Sequence, residues 1–369
     1  MEIAAAAGQF RAFADQVVAR LPLYRRLCEE AAGDFDVASR ILLGSADQQT
    51  PNLLLAAVHD VLLAGEVDPL ADWYPSCTAR PRPVGLGADD PWPHFRRLAL
   101  YHPRVARLLE TASTQTNEVG RSAAIYPALF AVGRSQPLGI VEVGASAGLN
   151  LHPGRYGYRY RIPSKDSMPE QVITSATAGS MLMIDCELRG DLVPPLPEDS
   201  LPIASTVGID QHPLDLAHAP DARWLVACQW PEERDRIARL RAAIALAQGD
   251  PPVVEPGDAV TALGHHVAAV AAHTLPVVVA TWVLAYLPVE RQQRFMQELA
   301  TIGAQRDVAL LFAEQPERIA GIAVPPRPDG RPDGRATALV VMVWRDGECT
   351  EVRLADLHPH GRWLEWLQR

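Results

Sequence analysis

Polar side chains recur where the apolar runs of this chain break off. Leu138–Val141 is a short apolar run that ends in a carboxylate, Glu142, and small or hydroxylic residues follow at alternate positions, Gly144, Ser146 and Gly148, with Ala145 between and Asn150 just beyond. A buried parallel strand that breaks into a tight turn and then a short helix has this pattern. Such a turn aims backbone N–H groups at a polar or anionic ligand. Leu201–Ile209 reads as a strand that stops at Asp210, and Val253-Val254 as a short strand before Gly257-Asp258-Ala259. Leu275–Leu284 is the most apolar and β-branched run, a central strand carrying Thr281 and Trp282 near its end. In an open α/β sheet, ligands bind at the C-terminal ends of strands near the point where strand order reverses. Glu142, Asp210, Asp258 and Thr281-Trp282 are therefore expected to converge on one ligand.

The N-terminal half adds a second set of polar residues. Gln48–Gly65 reads as a helix started by Thr50-Pro51 and stopped by Gly65, apolar nearly all round and so buried, with Asn52, His59 and Asp60 as exceptions. Gln115–Pro127 (Q-T-N-E-V-G-R-S-A-A-I-Y-P) gathers Gln115, Asn117, Glu118 and Arg121. His59, Glu118 and Tyr286 are the candidate bases or orienters. Gln49, Asn52, Gln115, Asn117 and Arg121 are the candidate substrate contacts. Each has a plainer alternative: a core histidine held by hydrogen bonds, a capping and salt-bridge cluster, Asp210 and Asp258 as helix caps, Gly144 and Gly148 as close-packing residues.

These residues need elements to position them. Residues 1–136 read as helices, a cap or substrate domain: Ile3–Ala32 with a kink at Pro22, Asp36–Leu43, the helix at Gln48–Gly65, His94–Glu110 and Ala123–Val132. Residues 137–369 alternate strand and helix, with a β-ribbon insertion at about 155–197, a helix pair over Ala222–Gln248 broken at Pro231, helices at Thr261–His273 and Val289–Ile302, and a strand at Val308–Phe312. A mobile loop at Pro325–Arg335 precedes a hairpin closed around Asp346-Gly347. The predicted fold is α/β: a Rossmann-like open, mostly parallel sheet with helices on both faces and a C-terminal antiparallel hairpin, plus an N-terminal all-helical cap.

Composition narrows the function classes. A net charge of −10 argues against a nucleic-acid surface. The five cysteines form no C-x-x-C pair, so neither a disulfide framework nor a metal site is expected. His265-His266 and His358-x-His360 have no acid or cysteine at ligand spacing. The first residues, M-E-I-A-A-A-A, lack the basic start of a signal peptide, and the long apolar runs are interrupted by polar residues. No membrane partner and a cytoplasmic location are expected. A small-molecule substrate is expected, with a homodimer left open.

The turn matches the dinucleotide fingerprint G-x-G-x-x-G poorly. Its spacing, E-x-G-x-S-x-G, resembles the first motif of class I S-adenosylmethionine-dependent methyltransferases. That resemblance implies that Glu142, Gly144, Ala145, Ser146, Gly148 and Asn150 surround the methionine part of the cofactor, that Asp210 binds the ribose and that Asp258-Ala259 contact the adenine. It places Thr281 and Trp282 beside the transferred methyl. Ser146 stands where the family has glycine, and the Glu142–Asp210 gap requires the ribbon insertion. Over nearly its full length the chain also resembles an uncharacterised bacterial family (domain of unknown function 2332 type), on the segments Gln49–His59, Gln115–Arg121, Val141–Asn150, Ile209–Leu216 and Thr281–Leu287. The expected activity is methyl transfer from S-adenosylmethionine to a small molecule. One alternative is a serine hydrolase, because Gly144–Gly148 also spells G-x-S-x-G with Ser146 as nucleophile. The other is a non-catalytic protein that binds S-adenosylmethionine or a nucleotide.

Overall fold

A computed structural model describes residues 2–16, 21–85, 89–133, 136–163, 171–175, 180–197, 201–332 and 334–368. In chain order the helices and strands are α1 (Ile3–Gln16), α2 (Pro22–Ala31), α3 (Phe35–Ala38), α4 (Pro51–Leu63), α5 (Trp92–Tyr101), α6 (Pro103–Thr111), α7 (Ser122–Val132), β1 (Leu138–Val143), β2 (Gly157–Ile162), β3 (Gln171–Ser175), β4 (Met183–Arg189) and β5 (Ile203–Asp210). They continue as α8 (Ala219–Ala227), α9 (Arg234–Gly249), β6 (Val254–Pro256), α10 (Leu263–Ala269), β7 (Leu275–Thr281), α11 (Val289–Gly303), β8 (Val308–Glu314), β9 (Thr337–Arg345), β10 (Glu348–Leu357) and β11 (Trp363–Trp366). The chain divides into a helical unit, Met1–Thr116 with Asp215–Arg241, and a sheet unit, Asn117–Leu214 with Ala242–Arg369. The compact units thus part at 116/117 rather than at the expected 136/137, since the stretch Asn117–Val132 packs with the sheet.

In the helical unit, α4 is buried along almost its whole length, as its sequence predicts. Its polar residues are each satisfied. Asp60 receives Arg104 at 2.6 Å and Arg223 at 2.8 Å, and Asn52 accepts the Trp230 indole N–H at 3.2 Å. Thr50 stands at the N-cap without a side-chain hydrogen bond, and Pro51 follows at the first helical position. The helix expected over His94–Glu110 is two, α5 and α6, because Pro103 interrupts the run. The junction expected at Pro22 is where α2 begins, and residues 17–20 before it lie outside the described residues.

Among the described residues the sheet unit's strands form one sheet in the order β3-β2-β4-β11-β10-β9-β8-β7-β1-β5-β6. The run β6-β5-β1-β7-β8 is parallel, and the order reverses at β1, which pairs β5 on one side and β7 on the other. That reversal defines a switch point of a doubly wound sheet. β1, β7 and β8 are buried throughout, as continuous apolar runs require. On one face, Val141, Val143, Val278, Ala280, Leu310 and Phe312 form a core with Leu263 and Val267 of α10 and Phe295 and Leu299 of α11. Tyr160 of β2 donates its hydroxyl to the Ala123 carbonyl of α7 at 2.7 Å. β9 and β10 make the predicted hairpin, with Asp346 (φ 49°) and Gly347 (φ 82°) in the left-handed conformation a tight turn needs.

Two expectations change. The segment at 155–197 is not a ribbon apart from the sheet. Its strands continue the sheet through β4, which pairs in parallel with β11. The aromatic tail supplies that joining strand. The loop at Pro325–Arg335, expected to be mobile, is anchored: Arg327 binds Asp356, Asp329 (2.7 Å) and Glu365 (3.3 Å), Arg331 binds Asp329 and Glu365, and Arg353 binds Asp356 at 2.7 Å. Arg353 and Asp356 are almost wholly buried. Removing Arg327 takes one of its two cations from the buried Asp356 carboxylate and loosens the hold on Asp329 and Glu365, so Arg327→Ala should destabilise the protein by about 3 kcal/mol. Denaturant unfolding with the midpoint falling at constant slope checks this; an unchanged midpoint contradicts the anchoring role.

Candidate functional site

The turn after β1 is left-handed at three alternate residues: Gly144 (φ 68°), Ser146 (φ 54°) and Gly148 (φ 72°). Its amides are largely spent inside the protein. Gly144 and Ala145 N–H donate to the Ile209 carbonyl (2.8 and 3.2 Å), Ser146 N–H to Asp210 Oδ2 (2.7 Å), Gly148 N–H to the Ala145 carbonyl (2.7 Å) and Leu149 N–H to Asn117 Oδ1 (2.8 Å). No α-helix follows; 3-10 turns at Leu149–Leu151 and Pro153–Arg155 lead into β2, because Pro153 cannot continue a helical ladder. The expected cradle of outward N–H groups at a helix N-terminus is therefore replaced by a closed turn. The glycines serve close packing as well as φ: a Cβ on Gly144 would collide with Val283, and one on Gly148 would meet Pro252 and Val254 at 2.8 Å.

What the turn leaves open is carboxylate chemistry. Glu142, next to last in β1, is buried; its Oε1 receives a long bond from Asn150 Nδ2 (3.4 Å) and, among the described residues, its Oε2 has no hydrogen-bond partner. Burial pushes its carboxyl up to about 8, against the pull of Asn150 and Arg121. Asn150 is fixed in turn by the Ser122 hydroxyl at 3.1 Å. Glu314, at the end of β8, accepts Val283 and Leu284 N–H through Oε1 (2.7 and 2.8 Å), while Oε2 is buried without a hydrogen-bond partner among the described residues. Burial raises it to about 7, opposed by those amides and by Arg121 and Arg318.

Arg121 acts on both carboxyls. It is buried, donates to the Thr281 carbonyl (3.2 Å) and the Pro359 carbonyl (2.9 Å), and lies over the Trp282 ring at 5.7 Å. The exposed Arg318 lies over the same ring at 5.5 Å. Trp282 itself has φ 55°, a strained conformation for a bulky residue, and its indole donates to Thr337 Oγ1 at 3.2 Å. Glu118 caps the Val119–Arg121 turn through the Gly120 N–H (3.0 Å) and faces His360 at 3.5 Å.

The predicted residues thus separate. Asn117, Glu118, Arg121, Glu142, Gly144–Gly148, Asn150, Asp210, Thr281 and Trp282 belong to one connected hydrogen-bonded arrangement in the sheet unit. Asp210 accepts His212 N–H (2.9 Å) as well as Ser146 N–H, so it clamps the turn. Asp258 is a cap, accepting Val260 and Thr261 N–H (both 3.1 Å) and paired with Arg291 at 2.6 Å. Burial alone would raise its carboxyl; the Thr261 amide and Arg291 outweigh that and hold it below the usual range. Ala259 packs against the core. Tyr286 is exposed, with no role of orienter visible. His59, Gln49, Asn52 and Gln115 lie in the helical unit, where Gln49 donates to the Gly44 carbonyl (3.1 Å) and Gln115 N–H meets Cys228 Sγ (3.4 Å). Arg318 is a group that sequence reasoning passed over, and Glu314, which sits at a strand end like the others, enters it only as an acid that could orient a histidine in the serine-hydrolase alternative.

The chain belongs to a family described as "Uncharacterized protein conserved in bacteria (DUF2332)", whose model matches residues 7–366. No curated protein and no solved structure matches the chain.

The raised carboxyls give a pH signature. A Glu kept protonated to about 8 when folded, but ionising near 4.5 when unfolded, contributes stability that is complete below the unfolded value and is lost as pH rises through about 8. Glu142→Gln should lose less stability than the natural chain between pH 5 and 8.5, with the two alike near pH 4.5. Thermal unfolding across that range checks it; parallel curves contradict the burial of an unpaired carboxyl.

Proposed function

We propose that the sheet unit is an S-adenosylmethionine-dependent methyltransferase acting on a small molecule. The observation that carries the reading is Glu142: a buried carboxyl with an oxygen that has no hydrogen-bond partner among the described residues, at the end of the strand where the sheet order reverses. An orphaned buried acceptor asks for a donor, and the cofactor's α-ammonium is one. The fit rests on this carboxylate and on the unpartnered Ser146 hydroxyl, not on turn amides. Asp210, at the neighbouring strand end, keeps lone pairs beyond its two amide bonds for ribose hydroxyls. Asp258 is committed to Arg291 and to its cap, so adenine recognition would fall to the backbone around Ala259. When bound, the cofactor supplies an electrophilic methyl group. The chain's part is to align the acceptor and, where the acceptor carries a proton, to take it; Glu314, poised near neutrality with Oε2 free, suits that task better than His59 or Tyr286.

No observation favours the hydrolase reading of Ser146. Its hydroxyl is buried and, among the described residues, has no hydrogen-bond partner, so no base stands beside it. No helix among the described residues is long and apolar enough to cross a membrane.

Calorimetry with S-adenosylmethionine and S-adenosylhomocysteine tests the proposal. At pH 7 Glu142 is mostly protonated, and pairing with an ammonium group favours its ionised form, so binding should release a proton and the apparent enthalpy should differ between phosphate and Tris buffers. Glu142→Gln should weaken binding about 10–100-fold. Absence of binding by either ligand overturns the reading.

A further inference from the structure

One hydrogen-bonding arrangement in the helical unit has the parts of a nucleophilic site. His59 on α4 places Nδ1 3.0 Å from the Ala227 carbonyl at the end of α8, and Nε2 2.6 Å from the Ser76 hydroxyl. A carbonyl can only accept, so Nδ1 carries the proton. Burial keeps the ring neutral by lowering its pKa to about 4, so Nε2 carries the lone pair. The Ser76 hydroxyl therefore donates to Nε2. That is the direction in which a serine nucleophile hands its proton to a base, with the base held in its tautomer by a third group. α4 gives the imidazole a fixed seat: His59 is fully buried, with the Tyr74 ring at 5.4 Å. Ser76 is half-buried, while its neighbour Cys77 and the guanidinium of Arg241, which donates to the Ser76 carbonyl at 3.3 Å, are exposed. Ser76 is thus partly open to solvent, with the Arg241 cation at its carbonyl and a buried base at its hydroxyl.

We propose that Ser76 and His59 form a serine-nucleophile site that hydrolyses carboxylic esters, with the Ala227 carbonyl in the orienting place that a carboxylate takes in a Ser-His-Asp triad. Ser76 Oγ bonds to the acyl carbon as its proton passes to His59 Nε2. The carbonyl oxygen takes the electron pair, and Arg241 is the charge available to stabilise it. The bond to the alkoxy oxygen then breaks, and the leaving alcohol takes the proton from Nε2. Water repeats the sequence on the acyl-serine, releasing the carboxylic acid and restoring the serine. The site is separate from Ser146 and from the cofactor proposal, and neither outcome decides the other.

The test uses the full chain with a fluorophosphonate probe, peptide mapping of the adduct, and hydrolysis of p-nitrophenyl acetate. The adduct should map to Ser76. Ser76→Ala and His59→Gln should each lower labelling and hydrolysis about 100-fold or more. Cys77→Ser should leave both unchanged. Ser76→Ala is the deciding variant, since it removes a half-buried hydroxyl and no packed atoms of α4. No adduct, an adduct elsewhere, or rates unaffected by Ser76→Ala would overturn the proposal.

Discussion

The bond from the Ser146 amide to the Asp210 carboxylate is the constraint on which the sheet unit's site depends. It ties the end of β1 to the end of β5 across a turn that is left-handed at Gly144, Ser146 and Gly148. Glycine adopts that conformation freely, but a serine there costs on the order of 1 kcal/mol or more. A charge-assisted amide bond of 2.7 Å offsets that cost. With the turn closed, Asn117 can seat the Leu149 amide and Asn150 can reach Glu142. The glycine turn is thus less a ligand cradle than a rigid bracket that holds a carboxyl in the sheet interior.

The second feature is electrostatic. Glu142 and Glu314 end strands on either side of β7, and the buried guanidinium of Arg121 draws both towards ionisation without overcoming burial. Both carboxyls consequently sit near neutrality, where a proton can be held or released. Such perturbed groups gather at functional sites more often than elsewhere. Trp282, strained and flanked by Arg121 and Arg318, belongs to the same arrangement. The loop after β10 completes it from the chain's other end, through the Pro359 carbonyl on Arg121 and His360 on Glu118.

Much of the fold was legible because burial writes itself into local pattern. The β-branched run at Leu275–Thr281 and the apolar run at Leu138–Val143 are strands for that reason, and Asp346-Gly347 announces its hairpin. Long-range pairing is not local, so the tail Trp363–Trp366 gave no hint that it would join β10 to β4, and the strands of 157–189 read as a separate ribbon. The same limit explains why Asp215–Arg241 was assigned to the sheet's domain although it packs with the N-terminal helices. The strand-end acids were found by position, but what each bonds to is a tertiary matter: Asp258 turned out to be a cap and Glu142 an orphan. His59 was visible as a polar residue on a buried helix, while its tautomer needed the Ala227 carbonyl from a segment 168 residues away.

We propose that a nucleoside cofactor binds at the strand-order reversal with its cationic end at Glu142. The most direct measurement is a crystal structure of the full chain grown with S-adenosylhomocysteine. Ligand density is expected at the C-terminal ends of β1 and β5, with a ligand nitrogen in hydrogen-bond distance of Glu142 Oε2. Ligand density bound elsewhere, or a Glu142 carboxyl still without a partner beside bound ligand, would contradict it.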